Sequence, residues 1–132
     1  MRFWRMMALY NAESTTYTTT AGVPASPFNP DFSGRLVGLR TVVGADAATT
    51  LTELVQFRLT CTIWTPNSIE VGAVGTGLRT APAMAIPAME WPCDQPINAS
   101  TSIAIEARNV TADTPVGVSV ALWGLFEAQK AG

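Results

Sequence analysis

The chain has 132 residues, 48% of them apolar and only 14% charged, with a net charge of −2 and no histidine. That length suggests one domain with a core able to stand without metal or disulfide staples. The absence of a basic run argues against nucleic acid as the main partner, and the absence of histidine removes the commonest acid/base group and metal ligand at neutral pH.

An ordinary globular protein carries roughly 25% charged residues. With fewer, much of this surface must be Thr, Ser, Gly, Ala, Pro and apolar side chains, and a lone monomer would risk association. Burial against other chains is expected. Residues 1–10, "MRFWRMMALY", read as an extended segment with Phe3, Met7 and Leu9 on one face and Trp4, Met6 and Ala8 on the other. The segment is too short and too interrupted by Arg2 and Arg5 for a signal peptide, and no apolar run reaches the ~18 residues that cross a bilayer.

Residues 11–34 change character, with a Thr-rich run, Pro24, Pro27 and Pro30, and few aliphatics. Proline fixes φ, removes a donor and pushes its predecessor to extended geometry. The stretch therefore reads as an extended arm, with a linker as the alternative. Phe28, Phe32 and Trp4 are its expected anchors outside its own domain. A domain division follows, with an arm over 1–34 and a β domain over 35–132.

Residues 35–43 form a strand with Leu36 and Val42 on one face and Val37, Leu39 and Val43 on the other. Residues 51–64, "LTELVQFRLTCTIW", give the cleanest period of two: Leu51, Val55, Phe57, Leu59, Cys61 and Ile63 share one parity, and Trp64 ends the other. Such alternation identifies a half-buried strand. "TPN" ends it by turn chemistry, and 68–74 form a shorter strand. Residues 78–98 carry Pro82, Pro87, Pro92 and Pro96, which leave room only for short edge pieces. Residues 101–109 alternate again, with Ile103, Ile105 and Ala107 inward. Residues 116–126, "VGVSVALWGLF", return antiparallel beside them, with Val118 and Val120 inward. The opposite face of that strand, Ser119, Ala121 and Trp123, bears no charge and is expected to be covered by a neighbouring subunit. No segment has helical periodicity. The pattern predicts an all-β antiparallel sandwich or jelly roll with an extended N-terminal arm.

The residues offer little catalytic chemistry. "GAVGTG" at 72–77 lacks the Lys-Ser/Thr ending of a phosphate loop. Glu53, Glu70, Glu90, Asp94 and Glu106 could in principle supply a carboxylate pair, but Glu70 and Glu106 fall on outward faces, where pairing with Arg58 or Arg108 is ordinary. Cys61 and Cys93, 32 positions apart, match no zinc spacing; two buried thiols or a disulfide remain open. "NPD" and "CDQPIN" lack a calcium-loop pattern, and "NAS" at Asn98 and "NVT" at Asn109 are chance matches in a Thr/Ser-rich chain. Trp64, Trp91, Trp123 and Tyr17 could line a sugar-binding face, although an exposed aromatic on a charge-poor face more often marks a protein interface. No catalytic residue, cofactor or metal ligand is assigned.

The passages "STTYTTTAGVPASPFNP", "LVQFRLTCTIW", "AIPAMEWPCDQPINASTSIAIEARN" and "VGVSVALWGLFEA" together resemble small phage virion proteins of the jelly-roll or β-sandwich type, capsid decoration (cement) proteins in particular. The resemblance covers most of the chain in style and includes no diagnostic motif. It implies a non-enzymatic virion protein, assembled in the host cytoplasm. Its implied partners are its own copies, as a trimer, and the major capsid protein, with residues 1–34 reaching over neighbours. A carbohydrate- or receptor-binding β-sandwich module is the alternative, and a carboxylate enzyme stands third.

Overall fold

A computed structural model describes residues 1–11, 14, 16–21, 24–45, 55–74, 89–109 and 118–129. Among them every regular element is a strand: β1 Arg2–Tyr10, β2 Thr18–Thr19, β3 Gly34–Ala45, β4 Val55–Thr60, β5 Ser68–Val74, β6 Met89–Ile97, β7 Ala104–Asn109 and β8 Val118–Ala128. They form two four-stranded sheets, ordered β1-β8-β3-β6 and β2-β7-β4-β5. Every pairing is antiparallel, and β1 meets β8, β2 meets β7, β3 meets β6 and β4 meets β5. This is a nested hairpin of strand pairs rolled into two layers, the eight-stranded jelly roll.

Alternation drives the layers together. β4 buries Val55, Phe57 and Leu59 and turns Gln56, Arg58 and Thr60 outward; β7 buries Ile105, Ala107 and Asn109. Facing them across the core are Met7, Ala8, Tyr10, Leu36, Leu39, Val120, Leu122 and Phe126. Val118 lies in β8, with its side chain outside the described part. The period of two slips where strands bulge. Met7 and Ala8 are adjacent yet both fully buried, because the β1–β8 register shifts between Met6 and Ala8. A second shift between Leu36 and Gly38 turns both Leu36 and Leu39 inward. One extra residue in a strand has this effect.

Three expectations need correction. Strands β7 and β8 do not form a hairpin; they lie in opposite sheets. Both have one apolar face, and alternation alone cannot distinguish a neighbour in the same sheet from a partner across the core. The long strand at 51–64 ends at Thr60: Cys61 N–H bonds Asn67 O, Trp64 N–H bonds Cys61 O, and the chain turns. The turn breaks the parity, so Ile63 is 38% exposed and Trp64 only 1%, its indole Nε1 donating to Pro96 O at 2.8 Å. Residues 51–54, with Glu53, lie outside the described residues, as do 75–88 and 110–117. Within the proline-rich passage, β6 is a nine-residue strand. It tolerates Pro92 and Pro96 because it lies at a sheet edge.

The extended N-terminal arm is the third. Strand pairings cross the expected boundary at residue 34. β1 lies against β8 in the same sheet as β3; β2 pairs with β7, Thr20 N–H bonds Ile105 O, and Phe28 exchanges both backbone bonds with Ile103 at 2.8 Å. Phe28 is 7% exposed. Its ring stacks on Phe126 at 5.6 Å, and Phe3 and Phe32 reach the same ring at 5.8 and 5.3 Å. Phe28 and Phe32 therefore anchor the segment inside its own domain. The aliphatics that the stretch lacks are supplied by the sandwich it packs into.

Gly124 makes room for this aromatic cluster. It lies on the inward parity of β8, and a Cβ there would stand 2.7 Å from both Met7 Sδ and the Phe126 ring. Gly124→Ala should cost about 1–3 kcal/mol by overpacking, read as a lower urea midpoint at unchanged slope.

Candidate functional site

The two outer faces of the sandwich differ in chemistry. On the β2-β7-β4-β5 sheet, Arg58 pairs with Glu106 at 2.8 Å, and Gln56 accepts from Arg108 at 2.8 Å while donating to Glu70 at 3.2 Å. The Tyr17 ring lies under both guanidinium groups, 4.0 Å from Arg58 and 4.8 Å from Arg108. Partial burial, with the Glu70 charge nearby, raises the Tyr17 pKa. This is a solvated, charge-balanced face, and its ion pairs contribute little to stability.

The outer face of the β1-β8-β3-β6 sheet carries an apolar patch. Register sets out its rows. Met6, Trp123, Arg40 and Glu90 lie side by side across the four strands. Trp4, Leu125, Gly38 and Pro92 form the next row, and Leu9, Ala121 and Val42 the row on the other side. Trp4 and Val42 are each 37% exposed, and Met6, Leu9, Ala121, Trp123 and Leu125 are half-buried. Charges flank the apolar patch as pairs, Arg2 with Glu127, Arg35 with Asp94 and Arg40 with Glu90.

Trp4, Trp123, Val42 and Arg40 enclose an open hollow of about 300 Å³. Trp4 also borders a second hollow, shared with Leu125, Gly38, Trp91 and Pro92. The Arg40 guanidinium lies 4.4 Å over the Trp4 ring while bonding the Glu90 carboxylate. It is thus held by a cation–π contact on one side and a charge on the other. The hollow offers aromatic surface and one fixed guanidinium, the composition of an anchor pocket for a protein partner.

Of the residues singled out in the sequence, Trp4 and Trp123 meet here, with Ala121 and Ser119 on the same parity of β8. Phe28 is in the interior, and Phe32 is half-buried against the same aromatic cluster. The four aromatics considered for sugar binding do not share a surface: Trp64 is buried, Tyr17 is on the opposite sheet, and only Trp91 and Trp123 lie in the apolar sheet. Arg40, Val42, Leu125 and Glu90 were not anticipated. Arg40 and Val42 lie in β3, whose bulge gave it apolar residues on both parities, and Leu125 and Glu90 reach the patch only through the pairings of β8 and β6 with their neighbours.

Four of the five acids considered in the sequence are described, and they divide between the sheets: Glu90 and Asp94 on one, Glu70 and Glu106 on the other. Among the described residues no group of three or more His, Cys, Asp or Glu is placed to hold a metal ion. Asn109 is buried, its side-chain oxygen accepting from Tyr10 Oη at 2.8 Å. Both cysteines are free thiols, Cys61 buried and Cys93 half-buried. Burial, with Asp94 adding to it, pushes the Cys93 thiol up to about 11. The thiolate is the reactive form, so Cys93 should alkylate far more slowly than a free thiol at pH 8. Mass spectrometry after iodoacetamide treatment checks this; rapid labelling of the native chain would contradict it.

Compared with known proteins, the chain matches no family model and no curated protein.

Proposed function

We propose that the protein is a non-enzymatic structural component of a virion, a capsid decoration (cement) or minor capsid protein assembled in the host cytoplasm. It stabilises the shell by laying the outer face of its β1-β8-β3-β6 sheet on the major capsid protein, alongside further copies of itself. One observation carries the proposal: the outer face of the β1-β8-β3-β6 sheet presents an apolar patch with tryptophan anchors between three ion pairs, which the opposite, polar face lacks. A solvated sheet face ordinarily alternates apolar-in with polar-out. The exposed apolar parity here loses least free energy when another surface covers it. Repetition around a shell multiplies modest single contacts into avidity. The jelly roll adds support only as an architecture known in capsid proteins, since a fold hosts many functions.

Trp4 and Trp123 beside the Arg40–Glu90 pair also favour a second reading, a glycan-binding module in which aromatic rings stack on sugar. Co-sedimentation separates the two. Shells prepared without the protein should bind the wild-type chain and fail to bind Trp123→Ala and Ala121→Arg, while Thr60→Arg, on the charged face, binds normally. Loss of binding by Thr60→Arg alone would overturn the assignment of the face. Glycan binding by a chain that ignores shells would favour the second reading.

A further inference from the structure

The apolar sheet has two edges, β1 and β6, and they differ. β6 carries Pro92 and Pro96, which have no N–H to offer an incoming strand. β1 has neither proline nor glycine. Ala128 N–H bonds Met1 O at 3.1 Å, which fixes the phase of the β1–β8 ladder. Bonded pairs alternate along an antiparallel ladder. With Arg2 opposite Glu127 and Phe3 opposite Phe126, the backbone groups of Phe3 and Arg5 turn toward β8. Those of Arg2, Trp4 and Met6 turn away, and among the described residues no backbone group bonds to them from that side. An open edge of this kind is a template for strand addition.

We infer that two copies of the chain pair antiparallel through β1, about a two-fold axis at Trp4. In this register Arg2 faces Met6 of the second copy, Trp4 faces its own equivalent, and Met6 faces Arg2, so the three outward-turned positions before the bulge are all engaged. Shifted toward the N-terminus, the pairing sets Trp4 opposite Arg2 and gives up the contacts of Trp4 with its equivalent and of Arg5 with Phe3. Shifted toward the C-terminus, it leaves Arg2 unpaired and sets two Arg5 side chains opposite each other, a repulsive arrangement. In the chosen register Arg5 faces Phe3, the ring its guanidinium already covers at 5.4 Å within one chain. Arg2 keeps its own Glu127. The central Trp4 pair adds an aromatic contact across the axis. The result is one continuous eight-stranded sheet that presents both tryptophan hollows on a single face, with two-fold symmetry in place of the threefold that the virion resemblance implies. The inference goes beyond the shell-docking proposal, since the edge joins copies and the face meets the shell.

Cysteine cross-linking of the full chain tests the register. Paired residues in a bonded position stand ~5.5 Å apart between Cα atoms, within disulfide reach. Trp4→Cys should therefore form an intermolecular disulfide on mild oxidation. Arg2→Cys and Met6→Cys should each fail alone, because their equivalents lie roughly 14 Å apart along the strands, yet should cross-link when mixed. Met6→Pro, which removes an outward N–H, should shift the wild-type dimer to monomer in sedimentation velocity. A wild-type chain that sediments as a monomer or trimer, or Arg2→Cys cross-linking as readily as Trp4→Cys, would overturn the inference. Ala121→Arg separates the two proposals: it should still pair while losing the shell. If Trp4→Cys fails and Ala121→Arg still loses the shell, the edge assignment falls and the docking face stands.

Discussion

A chain that begins at Arg35 should fail to fold. Removing residues 1–34 takes away β1, which covers one side of β8, and β2 with the segment that runs along β7. It also removes Met7, Ala8, Tyr10 and Phe28 from the core and Phe3 and Phe32 from its margin. Burying a large apolar side chain contributes about 1.5–3 kcal/mol, and a domain's whole stability is roughly 5–15 kcal/mol. Losing these residues together therefore exceeds what the remainder can sustain. Circular dichroism and limited proteolysis of the truncated chain check this. A protease-resistant, β-rich fragment would restore the detachable arm that the proline and threonine content suggests.

Phe126→Ala should be the most damaging single substitution, at about 3–5 kcal/mol. Phe126 is fully buried, and the rings of Phe3, Phe28 and Phe32 all converge on it. It joins the segment before β3 to the last strand of the sandwich. Truncation leaves a cavity bordered by three rings that are tied to different parts of the backbone and cannot collapse together. Chemical denaturation measures the loss; a change below about 1 kcal/mol would mean that the cluster does not hold the two parts together.

The layered all-β architecture was legible because β4 and β7 keep strict alternation and β5 falls between clear turn signals. Phe57, Leu59, Ile103, Ile105 and Val120 are core for that reason. The sheet to which each strand belongs was not legible. In this jelly roll, strands adjacent in sequence lie in opposite layers except for β4 and β5, and the apolar parity of β7 reads the same whether β8 lies beside it or across from it. Bulges hid the rest. An extra residue in β1 and another in β3 put consecutive or misplaced residues inward, so Met7 with Ala8 and Leu36 with Leu39 break any fixed period.

The candidate site was half visible. The uncharged parity of β8 marked Ala121 and Trp123, and Trp4 stood out in an apolar terminus. Arg40 and Glu90 could not be joined to them in advance. Their proximity depends on β8 lying between β1 and β3, and on β6 flanking β3, which are long-range pairings without a local signal. Phe28 was expected to anchor outside its own domain, whereas its bridge to Ile103 carries it inside; Phe32 is half-buried against the same cluster.

The central claim is that the β1-β8-β3-β6 sheet is the working surface. Hydroxyl-radical footprinting of the full chain, free and bound to shells, tests it most directly, because side chains on both faces are read in one experiment. Trp4, Val42 and Trp123 should lose reactivity on binding while Tyr17 on the charged sheet keeps its own. Protection of Tyr17 with Trp4 and Trp123 unchanged would contradict the account.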